Sequence, residues 1–334
     1  MNERGLLDLI IARLPALNCR DKICLAESFN REDDLIVLSK EDIERILGHE
    51  LRFFWDIDTI RAMAERDEKI ARMRLINMVP WGASAYPPLL REIYDPPSLL
   101  FFRGQLPNPE KPLLAIVGTR RPSSQAGAQA FGIARDLGRR GISVVSGLAL
   151  GIDAMAHRGN IEGGAPTFGI LGSGADEVYP SANRALAKRI LETGGALISE
   201  YPPGTGPRKW NFPARNRIIS GLARSVLIVE APERSGALIT AGFALEQGKE
   251  LWAASAGLVA ANAKGASFAR TLYDKRGTVK LVGDGAEIIS SAADVLEKWK
   301  WETGTAESGN REAVGNTAAA SLVACAARDL DIDL

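Results

Sequence analysis

The feature of this sequence that most restricts its fold is a unit repeated from residue 113 onward: a short apolar segment, a glycine turn and a helical stretch. Six apolar segments follow one another in this order: LLAIVG, ISVVSG, PTFGILG, ALISE, SVLIVEA and ELWAAS. Strands that are apolar on both faces and alternate with helices are typical of a parallel sheet covered on both sides. The pattern predicts an α/β fold, a doubly wound, mostly parallel Rossmann-like sheet over residues 113–300.

The rest of the chain differs in composition. Residues 1–76 have apolar positions at three- and four-residue spacing, which predicts a small helical accessory domain of SAM or helix-hairpin-helix type. Within it, Ser39 and Asp42 are spaced as a capping pair. Residues 77–112 are rich in proline and predict an extended connector. Residues 301–334 are rich in Gly, Ala, Ser and Thr, which predicts a flexible tail, too short for a winged helix, with one short helix near residues 318–329.

Bulk composition excludes several kinds of function. Forty-one basic residues balance forty-one acidic ones, so any nucleic-acid or membrane partner requires local clustering of charge. Two histidines and three cysteines are a poor supply for the roughly four ligands of a zinc site, and we predict no metal. No segment approaches the roughly 20 apolar residues of a membrane span, so we expect a cytoplasmic protein without a membrane partner.

The turn after the first strand carries Gly118, Thr119, Arg120 and Arg121. Both arginines stand where a dinucleotide fingerprint requires further glycines, so this turn does not predict a nucleotide cofactor. Backbone N–H groups at the following helix start, with an arginine alongside, favour an anion site. A surface turn with two solvated arginines accounts for the same residues equally well.

The second strand ends in Ser146 and Gly147, and Asp153 and His157 follow with the four-residue spacing of one helix face. These two side chains are candidates for an acid/base pair. No nucleophile with a base beside it occurs nearby, so local capping and packing are the favoured roles.

Residues 201–229 hold the most informative cluster, since this stretch contains no acidic residue in a chain whose charges otherwise cancel. Its cations are Arg208, Lys209, Arg215, Arg217 and Arg224, and they are interleaved with Trp210, Asn211, Phe212 and Asn216. Cations for phosphates, interleaved with aromatic rings for bases, are typical of proteins that bind single-stranded nucleic acid. The alternative is that the aromatic rings belong to the core and the arginines form a solvated rim.

Six ordered motifs resemble those of the DNA-processing protein A family, also called DprA or Smf. They are VGTRRP, VVSGLALGIDAMAH, GILGSGADEVYP, LISEYPPGT, WNFPARNRIISGL and VLIVEAPERSGALITAGFALEQGK. The resemblance implies a Rossmann-like, non-enzymatic protein without a cofactor that binds and protects single-stranded DNA. It further implies a homodimer that helps to load a RecA-type recombinase in natural transformation.

The resemblance assigns a DNA pocket to Gly118, Thr119 and Arg120 in the first turn, Ser146 and Gly147 after the second strand, and Lys209 and Phe212 in RKWNFPARNR. The basic cluster itself adds Arg215, Asn216 and Arg217 as further contacts. Residues 261–286 are longer than the matching family segment and depart from its pattern.

Two other functions stay open from the sequence. One is a sensor that binds a free nucleotide without turnover. The other is a nucleoside-monophosphate phosphoribohydrolase on a related Rossmann-like fold, whose PGG and GT motifs are missing from ERSGALITAGFALE. Because that constellation is incomplete, we predict that the protein is not an enzyme.

Overall fold

The structure is a computed structural model that describes residues 4–52, 56–258 and 275–300. Its centre is a nine-stranded sheet in the order β1-β2-β6-β5-β4-β3-β7-β8-β9. The strands are β1 (Asn77–Pro80), β2 (Leu99–Gly104), β3 (Leu113–Val117), β4 (Ser143–Ser146), β5 (Thr167–Ile170), β6 (Ala196–Ser199), β7 (Ser225–Ile228), β8 (Glu250–Ala254) and β9 (Glu287–Ile289). The seven strands from β3 to β9 are parallel, which confirms the predicted doubly wound, mostly parallel fold.

Helices cover both faces of this sheet. Those between or after the parallel strands are α7 (Ser124–Gly138), α8 (Ile152–Glu162), α9 (Arg184–Glu192), α10 (Asn211–Leu222), α11 (Gly236–Glu246), α12 (Arg276–Gly283) and α13 (Ala292–Lys298). All six apolar segments picked out in the sequence are strands, and β3 to β7 are buried along their whole length. Two apolar clusters, one on each face of the sheet, form the core.

The N-terminal part consists of α1 (Gly5–Arg13), α2 (Cys19–Ser28), α3 (Glu32–Ile36), α4 (Lys40–Leu47) and α5 (Ile57–Met73). Ser39 and Asp42 form a reciprocal capping box at the start of α4, as their spacing predicts. The helices share an apolar cluster with Leu99 and Phe101 of β2 and with Ala175. They are therefore packed directly on the sheet and its loops.

The proline-rich segment 77–112 contains more regular structure than an extended connector. It supplies β1 and β2, which join the sheet as antiparallel strands beside β6, and the short helix α6 (Pro88–Arg91). Pro80 is tolerated because β1 is an edge strand, where a missing N–H breaks no ladder. The predicted tail and its short helix lie outside the described residues, as does most of the departing segment 261–286.

Among the described residues, no helix has the length and apolar character needed to cross a membrane.

Candidate functional site

A cleft of about 760 Å³ opens at the carboxyl ends of the parallel strands, beside β3 and β7. Strand β3 pairs with β4 on one side and with β7 on the other, so the strand order reverses at this point. In doubly wound folds such a reversal separates the loops on its two sides and leaves a crevice for ligands. The cleft is where the topology of this fold is expected to place a binding site.

The turn after β3 forms one edge of the cleft and is held from below by Glu230. The Thr119 N–H donates to the Glu230 carbonyl at 2.7 Å, and the buried Glu230 carboxylate accepts bonds from the Ser123 hydroxyl (2.6 Å) and backbone N–H (3.0 Å). A Cβ at Gly118 would lie 2.6 Å from the Ile152 side chain, so only glycine fits there. The turn is fixed, and it leaves Arg120 exposed to solvent at the cleft.

Arg215 of α10 lies under the floor of the cleft. Its guanidinium donates to the carbonyls of Gly147 (2.8 Å) and Ile170, and to the side-chain oxygen of Asn216 (3.1 Å). Burial lowers the pKa of Arg215 to about 10, so the group stays charged at neutral pH. The Asp153 carboxylate accepts the Gly147 N–H at 3.1 Å, and burial raises its pKa. The strand ends that form the floor are thus tied to a buried cation.

An aromatic wall stands opposite the first turn. The rings of Tyr179 and Phe212 pack with centroids 5.4 Å apart, and both residues line the cleft together with Lys209. Phe212 is partly exposed, whereas Trp210, at the start of α10, is 68% exposed. The Arg208 guanidinium lies 5.7 Å from the centre of the Trp210 ring. Aromatic surface and positive charge are therefore adjacent along this wall.

The charge of the cleft is not neutralised from within. Arg120, Arg121 and Lys209 line it, and none of them has a carboxylate within ion-pair distance in the described parts of the chain. The two acidic side chains that also line it are engaged: Asp153 holds backbone N–H groups, and Glu230 accepts from Ser123 and pairs with Lys275 at 3.4 Å. Positive charge on the lining of the cleft is therefore left uncompensated among the described residues, with aromatic rings on one side.

The structure brings together seven of the ten predicted site residues as lining of this cleft: Gly118, Thr119, Arg120, Lys209, Phe212, Arg215 and Asn216. Ser146 and Gly147 do not line it. The Ser146 hydroxyl is fully buried and donates to the Ile116 carbonyl at 2.6 Å, and Gly147 is engaged with Asp153 and Arg215. These two residues hold the strand ends beneath the floor rather than facing a ligand.

Arg217 lies on the other side of α10, which corrects its assignment as a phosphate contact. Its guanidinium forms a bidentate pair with Glu200 at 2.6 and 2.7 Å and donates to Asp95 at 3.0 Å. Only 6% of the residue is exposed. It faces a second groove of about 420 Å³, also lined by Cys19, and its charge is already balanced by carboxylates.

Sequence reasoning missed Tyr179, because this residue lies in the loop after β5, outside the basic stretch. Its position at the carboxyl end of a central strand was the available signal. Ser235, at the start of α11, also lines the cleft.

Asp153 and His157 do not form an acid/base pair facing the cleft. His157 is fully buried and donates from Nδ1 to the Thr167 hydroxyl at 2.8 Å, since that hydroxyl gives its own proton to the Val144 carbonyl. Burial lowers the pKa of His157 to about 3, so the ring is neutral at physiological pH. Among the residues described, no group of three His, Cys, Asp or Glu side chains is placed to hold a metal ion.

Comparison with known proteins identifies the family. The family model described as DNA recombination-mediator protein A matches residues 77–300. The chain belongs to this family. It is 40% identical over 226 residues to DNA processing protein DprA of Bacillus subtilis strain 168, an alignment that covers 67% of this chain and 71% of that protein.

Two solved structures of family proteins are similar to this one. The X-ray structure of DprA from Streptococcus pneumoniae matches with a TM-score of 0.67 and 30% identity, over 89% of this chain and 98% of that chain. DprA from Helicobacter pylori matches with a TM-score of 0.57 and 27% identity, over 67% of this chain and 95% of that chain. The published description of the latter concerns its mode of binding single-stranded DNA. The fold and the family predicted from the sequence motifs are confirmed.

Proposed function

We propose that this protein binds single-stranded DNA in the cleft between β3 and β7. The observation that carries the proposal is a cleft that combines an aromatic wall with three cations, none of which has a carboxylate partner among the described residues. Cations bind the phosphates of a nucleic-acid backbone, and aromatic rings bind unpaired bases by stacking on them. Bases in a duplex are already stacked and paired, so the wall favours a single strand. The similarity to the H. pylori protein supports the same class of ligand.

Each part of the cleft has a role in this proposal. Arg120, Arg121 and Lys209 contact phosphates. The turn at Gly118 and Thr119 holds Arg120 at the cleft, since the Thr119 N–H is bonded to the Glu230 carbonyl. Phe212 stacks on a base, and its ring packs against Tyr179, which also lines the cleft. Arg215 strengthens the positive potential from below the floor, where its hydrogen bonds to the carbonyls of Gly147 and Ile170 hold it in place.

We further propose that binding occurs without a nucleotide cofactor and without catalysis. A hydrolase needs an acid or base that can reach its substrate. The two cleft carboxylates, Asp153 and Glu230, instead act as hydrogen-bond acceptors for the protein itself. His157 is buried below the floor and neutral.

The cellular role follows from the family. We propose that the protein works in the cytoplasm, protects incoming single strands and helps to load a RecA-type recombinase on them during natural transformation. We also propose a homodimer. Helix α11 supports it, since Ile239 and Leu245 are 41% and 64% exposed on a helix with few charges. Exposed apolar side chains of this kind favour association.

A titration of a fluorescent oligonucleotide tests the main proposal. Single-stranded and duplex forms of one sequence are compared at two salt concentrations. With about four phosphate contacts, affinity for the single strand should fall about fiftyfold between about 50 and 200 mM salt, and the duplex should bind more weakly. Binding that tolerates salt and requires only a mononucleotide would overturn the proposal and favour a nucleotide sensor.

A further inference from the structure

The two loops that form the aromatic and basic wall of the cleft rest on the N-terminal helices. One loop, residues 171–180, connects β5 to the turn before α9 and carries Tyr179. The other, residues 200–210, connects β6 to α10 and carries Lys209. Neither loop has regular structure of its own, so its position depends on what it contacts.

The 200–210 loop is held by an ion pair of the N-terminal helices whose carboxylate is buried. Arg13, at the end of α1, binds the Asp67 carboxylate of α5 through two parallel hydrogen bonds of 2.5 and 2.6 Å. Asp67 is 1% exposed. The Arg13 guanidinium also donates a hydrogen bond to the Pro203 carbonyl of the 200–210 loop, at 3.2 Å. Arg13 therefore joins α1 and α5 to the loop that leads to Lys209.

Further contacts fix the second loop to the first and to the helices. The Asp176 carboxylate accepts the Gly204 N–H at 2.9 Å, and the Gly174 N–H donates to the Thr205 carbonyl at 2.7 Å. Ala175, between these two residues of the 171–180 loop, is fully buried in the apolar cluster of the N-terminal helices. The two loops thus form one cross-linked unit that lies on the helices.

We propose that Arg13 is a positioning residue for the nucleic-acid cleft and that the N-terminal helices act through it to order the wall. Arg13 does not line the cleft; it holds Pro203, and through the loop it holds Lys209 and Phe212 where they meet the ligand. Groups ordered before binding lose less entropy on binding, so affinity depends on this support. The inference rests on the proposed function for its effect on affinity, but not for its effect on the loops.

The test uses the full chain with the double substitution Arg13→Gln and Asp67→Asn. Changing both residues avoids leaving a buried carboxylate without its partner, which would unfold the helices for an unrelated reason. Hydrogen exchange of the Gly204 and Thr205 amides, measured without DNA, should become faster, while exchange in β3 and β4 stays the same. Affinity for a single strand should fall about tenfold, the amount expected when two interface side chains lose their prior ordering.

The matched control is Arg72→Gln, which removes an exposed ion pair with Glu68 on the same helix as Asp67. It should change neither the loop amides nor the affinity. Unchanged exchange at Gly204 and Thr205 in the double variant would overturn the inference, as would faster exchange with full affinity. If the wild-type protein binds no single strand, the proposed function fails, and the amide exchange still decides whether Arg13 orders the loop.

Discussion

Arg215 and Arg217 are two residues apart on α10, both nearly buried, and yet they belong to different regions of the molecule. Two residues correspond to about 200° around a helix, so the side chains point to opposite sides. Arg215 lies under a cleft whose lining cations have no carboxylate partner in the described structure. Arg217 lies in a second groove, where Glu200 and Asp95 surround it.

The difference shows that a count of basic residues does not locate an anion site. An anion site requires positive charge that is not paired with carboxylates of the protein and that is accessible to solvent. Arg217 links α10 to the end of β6 and to the segment before β2 through its bonds to Glu200 and Asp95. Arg120 and Lys209 form no such ion pairs within the described residues and line the cleft. The substitutions below separate these two uses of positive charge.

The largest effect should come from Arg217→Met, and it should be on stability. Loss of the cation removes the guanidinium that pairs with the Glu200 carboxylate, which is 13% exposed in the second groove. Removing one member of a buried ion pair costs about 3–5 kcal/mol of unfolding free energy. Urea denaturation of the variant measures this loss.

A second substitution tests the cause of that loss. In the double variant Arg217→Met and Glu200→Met both charges are gone, so most of the stability should return. Affinity for single-stranded DNA should stay at the wild-type level in this variant. Weak DNA binding by a stable double variant would place Arg217 back among the ligand contacts.

Arg120→Glu should have the next largest effect, this time on binding. A hydrogen bond to a charged group is worth about 1.5–3 kcal/mol, and reversal of the charge adds repulsion, so affinity should fall at least about a hundredfold. Arg120 is exposed on a turn held by other residues, so the melting temperature should stay unchanged.

Arg139→Glu is the matched control for this charge reversal. Arg139 is an exposed residue at the end of α7 that pairs with Asp136 and does not line the cleft. The net charge of the protein changes by the same amount in both variants. Equal losses of affinity in the two would mean that binding depends on overall charge rather than on the cleft.

The sequence was sufficient for the parallel part of the fold because each of the strands β3 to β8 is an apolar run followed by a turn. It was not sufficient for β1 and β2, which lie in a proline-rich stretch, nor for β9, which has only three residues. The edge position of β1 explains how a strand can end in Pro80. Local composition therefore predicted the parallel strands from β3 to β8 and missed both edge strands and β2, which lies beside one of them.

The site was predictable to the extent that its residues lie at strand ends. Arg120, Lys209 and Phe212 were assigned through the family resemblance, and all three line the cleft. The different roles of Arg215 and Arg217 could not be assigned without knowing which carboxylates lie on each side of α10. Glu200 and Asp95 are distant from each other in the sequence, so no local pattern shows that they share one cation.

Phe212→Ala should have a smaller effect than the charge reversal. Base stacking on an aromatic ring contributes about 1–3 kcal/mol, so the free energy of binding should become less favourable by that amount. Phe212→Tyr keeps the ring face and should keep most of the affinity. A collapse of thermal stability in the alanine variant, with normal affinity for the folded fraction, would show instead that the ring serves the packing against Tyr179 and Gly172.

Trp210→Ala should have the smallest effect, and that effect should depend on the length of the DNA. The ring is 68% exposed beside Lys209 but does not line the cleft, so it can meet only a nucleotide outside the cleft. Since stacking at an exposed site is weak, we expect a loss near the lower end of the stacking range, about 1 kcal/mol, for long oligonucleotides.

Very short oligonucleotides, which fill only the cleft, should bind Trp210→Ala as tightly as the wild type, and Trp210→Phe should bind normally at all lengths. Fluorescence anisotropy with a series of oligonucleotides of increasing length makes the comparison. An equal loss at every length would move Trp210 into the cleft and join it to Phe212 as one stacking site. A loss confined to long strands would extend the nucleic-acid path along the start of α10, where Arg208 and Lys209 flank Trp210.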